Sequence, residues 1–315
     1  MPKKVILDVD PGIDDAIVLC YALFDPEVEV VAVTSVGGNV APQVASRNTQ
    51  AIMEYLDPPR LPRLGVGSEP DDGLPLDGRY VHGIDGLGGT DLPVAVLRSL
   101  HPAEKVICDA VRAAPNEITI IALGPLTNIA RAFQRDSEIP RLLRHLVITG
   151  GTLDSPGNIT PAAEFNIYCD PLSAKQVFQA SCIKTLIPLD VTNRVKLTLG
   201  DVDQLASDST KVGHLLRCII MPAFRAYRQR FGLEGIHVHD MVTYLAALHP
   251  QLFAMKSLSG NVETVGELTR GMTVFDRRRI PAWRENMNVA YNIKEEQVLT
   301  KIITGLNFSA QCVEE

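Results

Sequence analysis

The segment VILDVDPGIDDAIVL, residues 5–19, crowds four carboxylates between two apolar runs: Asp8, Asp10, Asp14 and Asp15. The first run has the length of a buried strand, Pro11-Gly12 turns the chain, and a helical pattern follows. Like charges packed together raise each other's pKa and resist ionising together. A hard divalent cation such as Ca²⁺ or Mg²⁺ prefers oxygen ligands and would neutralise them. The segment therefore predicts a strand, a turn and a helix that together present a cation site.

A second interpretation of this segment needs no metal. Asp14 and Asp15 fall in the first helical turn, where the helix dipole and free N–H groups favour negative charge, and Asp8 would then pair with a lysine. An EF-hand loop is excluded because the spacing and the distal Glu are missing. No Cys or His lies close enough in sequence to indicate zinc. Taken alone, the segment leaves the metal and capping interpretations open.

Composition and charge limit the function classes. The 315 residues are 46% apolar and 21% charged, as in a globular protein with a sizeable core. The formal charge of −7 argues against a nucleic-acid partner, and no apolar run approaches the roughly 20 residues that a membrane span needs. The N-terminal run stops at Asp8 and is typical of a strand rather than of a signal peptide. Six scattered cysteines without a C-x-x-C pair favour a cytoplasmic location.

Short apolar runs alternate with helical patterns, which is typical of buried parallel strands joined by crossover helices. The predicted strands are 5–10, 28–36, 118–124, 145–151 and 185–190, and the predicted helices are 14–23, 41–55, 103–113, 126–134 and 171–180. We therefore expect an α/β fold with a doubly wound, mostly parallel sheet flanked by helices, open and Rossmann-like. An eight-unit barrel is disfavoured because 200–250 is mostly helical and 253–290 indicates short strands or a hairpin.

The predicted strands end in polar or small residues. These ends are Asp10, Gly37-Gly38-Asn39, Gly124, Gly150-Gly151 and Asp190. Ligands of an open parallel sheet bind beyond the carboxyl ends of its strands, so these positions are expected to converge on one pocket. We expect a single domain over residues 1–315, in which the Gly/Pro/Asp-rich loop 69–89 is functional or mobile.

The pattern D-V-D-P-G-I-D-D resembles the D-x-D-x-G-x-D-D signature of the nucleoside hydrolases, the inosine/uridine-preferring enzymes that cleave N-ribosidic bonds. Further motifs follow in the order of that family: Gly38-Asn39, VHGIDGLGG (81–89), ALGPLTNIA (122–130), GNITPAAEFNIYCDP (157–171) and HVHD (237–240). Each short motif is weak alone, but six in the right order are specific. The resemblance implies the nucleoside hydrolase fold and Ca²⁺-dependent hydrolysis of ribonucleosides to ribose and free base.

The resemblance implies a Ca²⁺ ion at the pocket floor. Its ligands would be Asp10, Asp15, Asp240 and the backbone carbonyl of Leu123, together with a water and the ribose 2′- and 3′-hydroxyls. Asp10 would take the proton from the metal-bound water as that water attacks the anomeric carbon. Direct attack through an oxocarbenium-like transition state predicts inversion at that carbon.

The substrate-binding residues are implied in the same way. The ribose set is Asp14, Asn39, Asn158, Glu164 and Asn166. His239 is the preferred acid or proton relay for the leaving base, and His82 would contact the base or the 5′ region. Tyr227 would close over the base, or pack with Phe224 at helical spacing, and Phe165 would lie near the 5′ end or in the core. Lid loops are expected near 69–89 and 222–238.

Several alternatives and departures accompany this resemblance. In GNITPAAEFN, Asn158 could be only a local backbone cap and Glu164 a surface residue. Met241 follows His-Asp where the family usually has Pro, and GGTLDSPGN (150–158) is slightly longer than in many relatives. Asp8 is expected behind the ligand Asp10, while His237 and Asp190 receive no role.

Three rival functions remain at this point. A haloacid-dehalogenase-type phosphatase also has D-x-D after its first strand, but it needs Thr or Val where this chain has Gly12. A binding protein without turnover would keep the ribose pocket, and a hydrolase of a non-standard N-riboside would keep the chemistry. A small-molecule ribonucleoside is the expected partner, with no nucleic acid and no membrane, and the resemblance implies a homodimer or homotetramer.

Overall fold

A computed structural model describes residues 2–70, 78–95, 101–205 and 209–312. The strands are β1 (Lys3–Val9), β2 (Val28–Ser35), β3 (Arg63–Val66), β4 (His101–Pro102), β5 (Thr119–Ala122), β6 (His145–Thr149), β7 (Lys184–Ile187), β8 (Lys196–Thr198), β9 (Gly235–His237), β10 (Phe253–Leu258), β11 (Gly260–Val262), β12 (Thr273–Phe275) and β13 (Met287–Ile293). The helices are α1 (Ile13–Ala22), α2 (Pro42–Leu56), α3 (Arg79–His82), α4 (Ala103–Ala113), α5 (Thr127–Arg135), α6 (Ile139–Leu142), α7 (Phe165–Cys169), α8 (Pro171–Gln179), α9 (Leu189–Thr192), α10 (Leu199–Val202), α11 (Lys211–Phe231), α12 (His239–Leu248) and α13 (Glu295–Gln311), with a 3₁₀ turn at Pro250–Leu252.

Within the described residues, nine strands form one sheet in the order β10-β13-β7-β6-β5-β1-β2-β3-β4. Every pairing in this sheet is parallel except β10 on β13 at the edge. Two small antiparallel pairs, β8-β9 and β11-β12, lie outside it. The predicted α/β fold with a mostly parallel sheet between helices is confirmed.

The sheet is buried on both faces, as its continuous apolar strands require. In β1, Val5 and Leu7 face a core that includes α1, α11 and α12, whereas Ile6 faces a second core built with α4 and α5. All four residues of β5 are buried. Because successive side chains of a strand point to opposite faces, apolar residues at every position serve both layers.

The strand order reverses at β1, which pairs with β2 on one side and with β5 on the other. The chain builds β2, β3 and β4 outward from β1 in one direction, and β5, β6 and β7 in the other. Loops that leave the carboxyl ends of β1 and β5 therefore diverge and open a crevice, which is where open α/β sheets bind ligands.

The second predicted lid is mostly regular structure rather than a loop. Residues 222–231 are the last part of α11, and 235–237 form β9. The helix continues through Pro222 because buried residues recur at helical spacing on both sides of it, and it ends at Gly232 with φ of +66°. In the first predicted lid, 79–82 form α3, and residues 71–77 lie outside the described residues.

The strand predicted at 185–190 ends earlier, at Ile187, so Asp190 lies on the one-turn helix α9. Strands β3 and β4 and the C-terminal helix α13 add elements beyond the predicted ones. Within the described residues, no helix is both long enough and apolar enough to cross a membrane.

Candidate active site

A cavity of about 410 Å³ opens at the reversal of strand order. Its walls include Asp10 and Leu123, which directly follow β1 and β5, Asn39 in the loop after β2, and Thr149 at the end of β6. The sequence-predicted residues that line it are Asp10, Asp14, Asn39, His82, Leu123, Asn158, Glu164, Phe165, Asn166, Tyr227, His239 and Asp240. Asp15, the remaining predicted residue, lies behind this lining.

Asp10 is held in a fixed orientation at the floor of the cavity. Its Oδ2 accepts the Asn39 backbone N–H at 2.8 Å, and the Asn39 side-chain amide donates to the Asp10 carbonyl at 3.3 Å. A Cβ on Gly38 would lie 2.1 Å from Oδ2, and one on Gly124 would lie 2.7 Å from Oδ1. Both glycines are therefore needed for the backbone to approach this carboxylate.

Asp15 organises the turn between β1 and α1. Its Oδ1 accepts the backbone N–H of Asp10 at 3.2 Å, and its Oδ2 accepts that of Gly12 at 3.1 Å. Burial raises the pKa of Asp15 to about 6, although these hydrogen bonds lower it. Asp15 thus caps the start of α1 through its hydrogen bonds, as the capping interpretation predicts.

Asp14 and Asp240 meet across the cavity floor. The backbone N–H of Asp240, in the first turn of α12, donates to Asp14 Oδ2 at 3.2 Å. Within the described part of the chain, Asp14 Oδ1 is buried without a hydrogen-bond partner. Burial raises the pKa of Asp14 to about 8, and burial together with repulsion from Asp14 raises that of Asp240 well above its usual range.

Asp8 does not pair with a lysine. Its Oδ1 accepts the Thr34 hydroxyl at 2.5 Å and the Asn128 amide at 2.8 Å, and its carbonyl accepts the Leu123 N–H at 2.8 Å. Asp8 is fully buried behind the cavity lining. That alternative for the segment is therefore wrong, and Asp8 instead connects β1 with its two neighbouring strands and α5.

The donor set fits a hard cation, with a condition. The oxygen ligands that such ions prefer are supplied by the Leu123 carbonyl and by four carboxylates, those of Asp10, Asp14, Asp15 and Asp240. None of these four carboxylates forms a salt bridge among the described residues. However, no three His, Cys, Asp or Glu side chains in the described ranges are arranged to hold a metal ion by themselves. Backbone, water or substrate oxygens would have to complete the coordination.

Glu164 and Asn166 form a further part of the cavity wall. Glu164 is 4% exposed and caps α7: Oε1 accepts the N–H of Asn166 at 2.9 Å, and Oε2 accepts those of Gly151 and Ile167 at 3.0 and 3.1 Å. The Asn166 amide donates to the Leu123 carbonyl at 2.6 Å. The alternative that Glu164 is a surface residue is therefore wrong.

Asn158 and Phe165 are joined at the rim of this wall. Asn158 Oδ1 accepts the Phe165 N–H at 2.9 Å, so Asn158 is a local cap and also lines the cavity. Phe165 is half-buried and lines the cavity rather than the core. Both residues are thus placed where a ligand could contact them.

Three histidines, His82, His237 and His239, also line the cavity. His239 Nδ1 lies 2.8 Å from Thr192 Oγ1, and the His239 ring stacks on His237 with centroids 5.3 Å apart. Burial lowers the pKa of His239 to about 3 and that of His82 to about 4, so both rings are neutral at pH 7. His82 Nδ1 accepts the Ile13 N–H at 3.0 Å, which leaves its ring hydrogen on Nε2.

Aromatic side chains cover the outer part of the cavity. Tyr227 packs edge-on against Phe231 at 5.4 Å and tilts against His237 at 6.0 Å. Phe231 in turn contacts Tyr80, and the Arg230 guanidinium lies 4.1 Å from the centre of the Tyr80 ring. Contacts between α11 and α3 therefore close this side, where the two lids were predicted.

The family model for inosine-uridine preferring nucleoside hydrolases matches residues 5–300 of this chain. The chain belongs to that family. Uridine nucleosidase 1 of Arabidopsis thaliana is 36% identical over 277 residues, which cover 87% of this chain and 82% of the plant protein. Non-specific ribonucleoside hydrolase RihC of Shigella boydii is 36% identical over 279 residues, covering 88% and 89%. The structure of a purine-preferring ribonucleoside hydrolase from Gardnerella vaginalis matches with a TM-score of 0.92 and 30% identity, covering 99% of this chain and all of that one.

Nucleoside hydrolases are metal-dependent N-glycosyl hydrolases of ribonucleosides, so this chain is a hydrolase of that class. The predicted family and enzyme class are confirmed. The names of the three relatives span uridine, purine and unselective hydrolysis, and membership in the family therefore leaves the base preference of this nucleoside hydrolase open.

Three residues of this nucleoside hydrolase site received no role from the sequence. His237 lines the cavity, Thr192 contacts His239, and Asp190 binds the backbone of residues 153–155. The alternation of His237 and His239 in an extended segment was a usable signal for the first. Thr192 and Asp190 could not be found from local patterns, because their partners are 47 and 35–37 residues away in sequence.

Proposed function

We propose that this chain hydrolyses the N-glycosidic bond of ribonucleosides by direct attack of water, with Asp10 as the general base. The observation that carries this proposal is the convergence of Asp10, Asp14 and Asp240 with two neutral histidines on one cavity. Burial raises the pKa of Asp10 well above its usual range, which makes its carboxylate a stronger base. Because Asn39 holds one oxygen, the orientation of that base is set before substrate binds.

We propose Ca²⁺ as the ion, held by Asp10, Asp15, Asp240 and the Leu123 carbonyl. Carboxylate and carbonyl oxygens are the ligands that Ca²⁺ prefers, and a bound cation would relieve the repulsion that raises the pKa of Asp240. When bound, the ion would acidify the attacking water and orient the ribose 2′- and 3′-hydroxyls. Asp15 already accepts two backbone N–H groups. Its carboxylate would therefore both hold the turn and supply negative charge to the ion.

We propose that Asp14, Asn39, Asn158, Glu164 and Asn166 bind the ribose hydroxyls. Asp14 Oδ1 is a buried acceptor without a partner in the described residues, and a sugar hydroxyl is a donor that would satisfy it. Glu164 has its oxygens oriented by three backbone N–H groups, which leaves lone pairs for a further donor. Phe165 packs beside the sugar at the same wall.

His239 assists the leaving base as a hydrogen-bond donor or relay, with His82 and Tyr227 against the base. With a pKa of about 3, His239 is not a reservoir of protons at pH 7. If the Thr192 hydroxyl donates to Nδ1, the ring hydrogen of His239 is on Nε2 and available to the leaving group. We propose that Thr192 favours this tautomer, in which Nδ1 accepts and Nε2 donates.

Replacing His239 with Ala is expected to lower kcat for inosine or uridine by roughly 10²- to 10⁴-fold, because a poor leaving group loses its donor. The same variant should hydrolyse 4-nitrophenyl riboside nearly as fast as the wild type, since that leaving group departs without a proton. Steady-state kinetics on both substrates measure the contrast. Equal losses on both would show that His239 acts on folding or on the sugar.

Uridine is expected to react at least 10-fold faster than deoxyuridine at saturating and subsaturating concentrations. The missing 2′-hydroxyl removes hydrogen bonds to charged groups, each contributing about 1.5–3 kcal/mol. Ribose and deoxyribose release followed by a reducing-sugar assay measures the ratio. Comparable rates would contradict binding of the sugar through its 2′-hydroxyl.

The proposed function is tested by ribose release from inosine, adenosine, uridine, cytidine and deoxyuridine, each with and without a calcium chelator. Chelator-sensitive release from any ribonucleoside supports it, and the rank order assigns the base class. No release from any of them would favour a non-standard N-riboside or a binding protein without turnover.

We further propose one domain over the whole chain, a homodimer or homotetramer measurable by light scattering, and a cytoplasmic location consistent with six free cysteines.

A further inference from the structure

Asp190, on the one-turn helix α9, binds three consecutive backbone N–H groups. Its Oδ2 accepts from Leu153 at 2.7 Å, and its Oδ1 accepts from Asp154 at 2.7 Å and from Ser155 at 2.9 Å. Hydrogen bonds to an ionised acceptor are roughly twice as strong as those between neutral groups. Asp190 therefore fixes the path of residues 150–158, which we call the wall loop.

The wall loop forms part of the cavity. Its first and last residues, Gly150 and Asn158, both line the cavity, and Asn158 accepts the N–H of Phe165. The beginning of the loop is held by Glu164, which accepts the Gly151 N–H at 3.0 Å. The Thr273 hydroxyl holds Thr152 next, accepting its N–H at 2.9 Å and donating to its carbonyl at 2.6 Å. Asp190 holds the residues that follow, 153–155, so the path of the loop towards Asn158 depends on all three contacts.

Helix α9 also faces the other side of the cavity. Thr192, two residues after Asp190, lies 2.8 Å from His239 Nδ1, and Leu189 and Thr192 line the cavity. The Leu189 N–H donates to the Gly151 carbonyl at 3.0 Å, so α9 and the wall loop are also joined through their backbones. One short helix thus spans the sugar side and the leaving-base side.

We propose that Asp190 is a positioning residue for substrate binding, which holds the wall loop so that Gly150 and Asn158 keep their places against the sugar. This inference rests on the proposed function, since it assigns the wall loop to the ribose. Arg277 also contacts the loop, through Asp154 at 2.7 Å and the Leu153 carbonyl at 3.4 Å. That ion pair is exposed, and exposed pairs contribute little. Glu164 and Thr273 hold Gly151 and Thr152, and Asp190 is the half-buried side of the support for residues 153–155, where it accepts three backbone N–H groups.

Replacing Asp190 with Ala is expected to raise KM for ribonucleosides by about 10-fold or more while kcat changes less than about threefold. Contacts to the sugar bind ground state and transition state alike, so their loss affects KM. The inhibition constant of free ribose should rise by the same factor, because ribose carries only the part that the wall loop contacts. A purely structural role would lower the melting temperature and leave KM and ribose inhibition unchanged.

Two variants serve as matched controls. Asp201 lies on α10, away from the cavity, and accepts hydrogen bonds from the N–H and the hydroxyl of Thr198. Asp201→Ala makes the same chemical change as Asp190→Ala, so KM should not change. Arg277→Gln removes the exposed contact with the wall loop and should change KM less than twofold. Asp190→Asn keeps one acceptor oxygen and should give an intermediate KM. This variant tests the inference if Asp190→Ala does not fold.

An unchanged KM in folded Asp190→Ala or Asp190→Asn would overturn the inference, as would a raised KM with unchanged inhibition by ribose. If the wild-type protein releases no ribose, the proposed function fails separately. Ribose binding measured by calorimetry then tests the inference alone: Asp190→Ala must weaken it, and equal binding by both proteins would refute the positioning role.

Discussion

Asp10→Asn is expected to lower kcat for every ribonucleoside substrate by roughly 10³-fold or more while leaving the protein folded. General base catalysis contributes 10²- to 10⁴-fold by itself, and this substitution also removes a proposed ligand of the ion. Asn has the same shape, and its side-chain oxygen can still accept the Asn39 N–H that now binds Oδ2. Ribose release and circular dichroism of the variant measure activity and folding.

The same variant carries a stability prediction whose sign follows from burial. The pKa of Asp10 in the folded protein is raised well above its value in the unfolded chain. The metal-free fold therefore loses stability as the pH rises above the pKa of the unfolded chain, because the unfolded chain then ionises Asp10 more readily than the folded protein does. Removing that charge should therefore leave the melting temperature of the metal-free protein at pH 7 equal to or higher than that of the wild type. A lower melting temperature would show that the amide breaks a contact of the carboxylate.

Asp8→Asn provides the matched control for this experiment. Asp8 lies on β1, two residues before Asp10, and is equally buried, but it does not line the cavity. Its Oδ1 accepts from both Thr34 and Asn128, which an amide oxygen can also do, so Asp8→Asn should fold and should change kcat far less than Asp10→Asn. Equal kcat losses in the two variants would remove Asp10 as the specific base.

The central part of the fold could be predicted because its strands are continuous apolar runs buried on both faces. Ile6 and Leu7 serve opposite core layers, so β1 shows no alternation, and such runs indicate parallel strands wherever helices separate them. The edges were harder to predict. β4 has two residues and β10 joins the sheet through β13, so their placement depends on tertiary contacts rather than on local patterns.

The floor of the site was predictable for a different reason. Asp10, Asp14 and Asp15 lie within six residues, and the carboxyl end of β1 brings them to one place whatever the rest of the chain does. The contact of Asp190 with residues 153–155 carries no such signal, because it depends on α9 replacing the end of a predicted strand. The helical pattern of 200–250 predicted the helical part of the second lid segment, whereas its action as a lid stays a prediction.

Removal of the ion with a chelator is expected to abolish ribose release, and added Ca²⁺ should restore it. Without a cation, four buried carboxylates must share protons, as the raised pKa values of Asp14, Asp10 and Asp240 indicate. Saturating Ca²⁺ at about 100 times its dissociation constant should add about 2.7 kcal/mol to the free energy of unfolding. That gain raises the melting temperature by roughly 5 °C in a thermal shift assay.

A direct binding measurement separates the role of the ion in structure from its role in turnover. Calorimetric titration of the chelated protein with Ca²⁺, Mg²⁺ and Zn²⁺ should rank Ca²⁺ first, because oxygen donors and a loosely closed carboxylate set suit a large hard ion. Asp240→Asn should lose both the heat of Ca²⁺ binding and the thermal shift, whereas Asp201→Asn, on exposed α10, should keep both. Full activity of the wild type in excess chelator would contradict the metal proposal, and a thermal shift retained by Asp240→Asn would place the ion elsewhere.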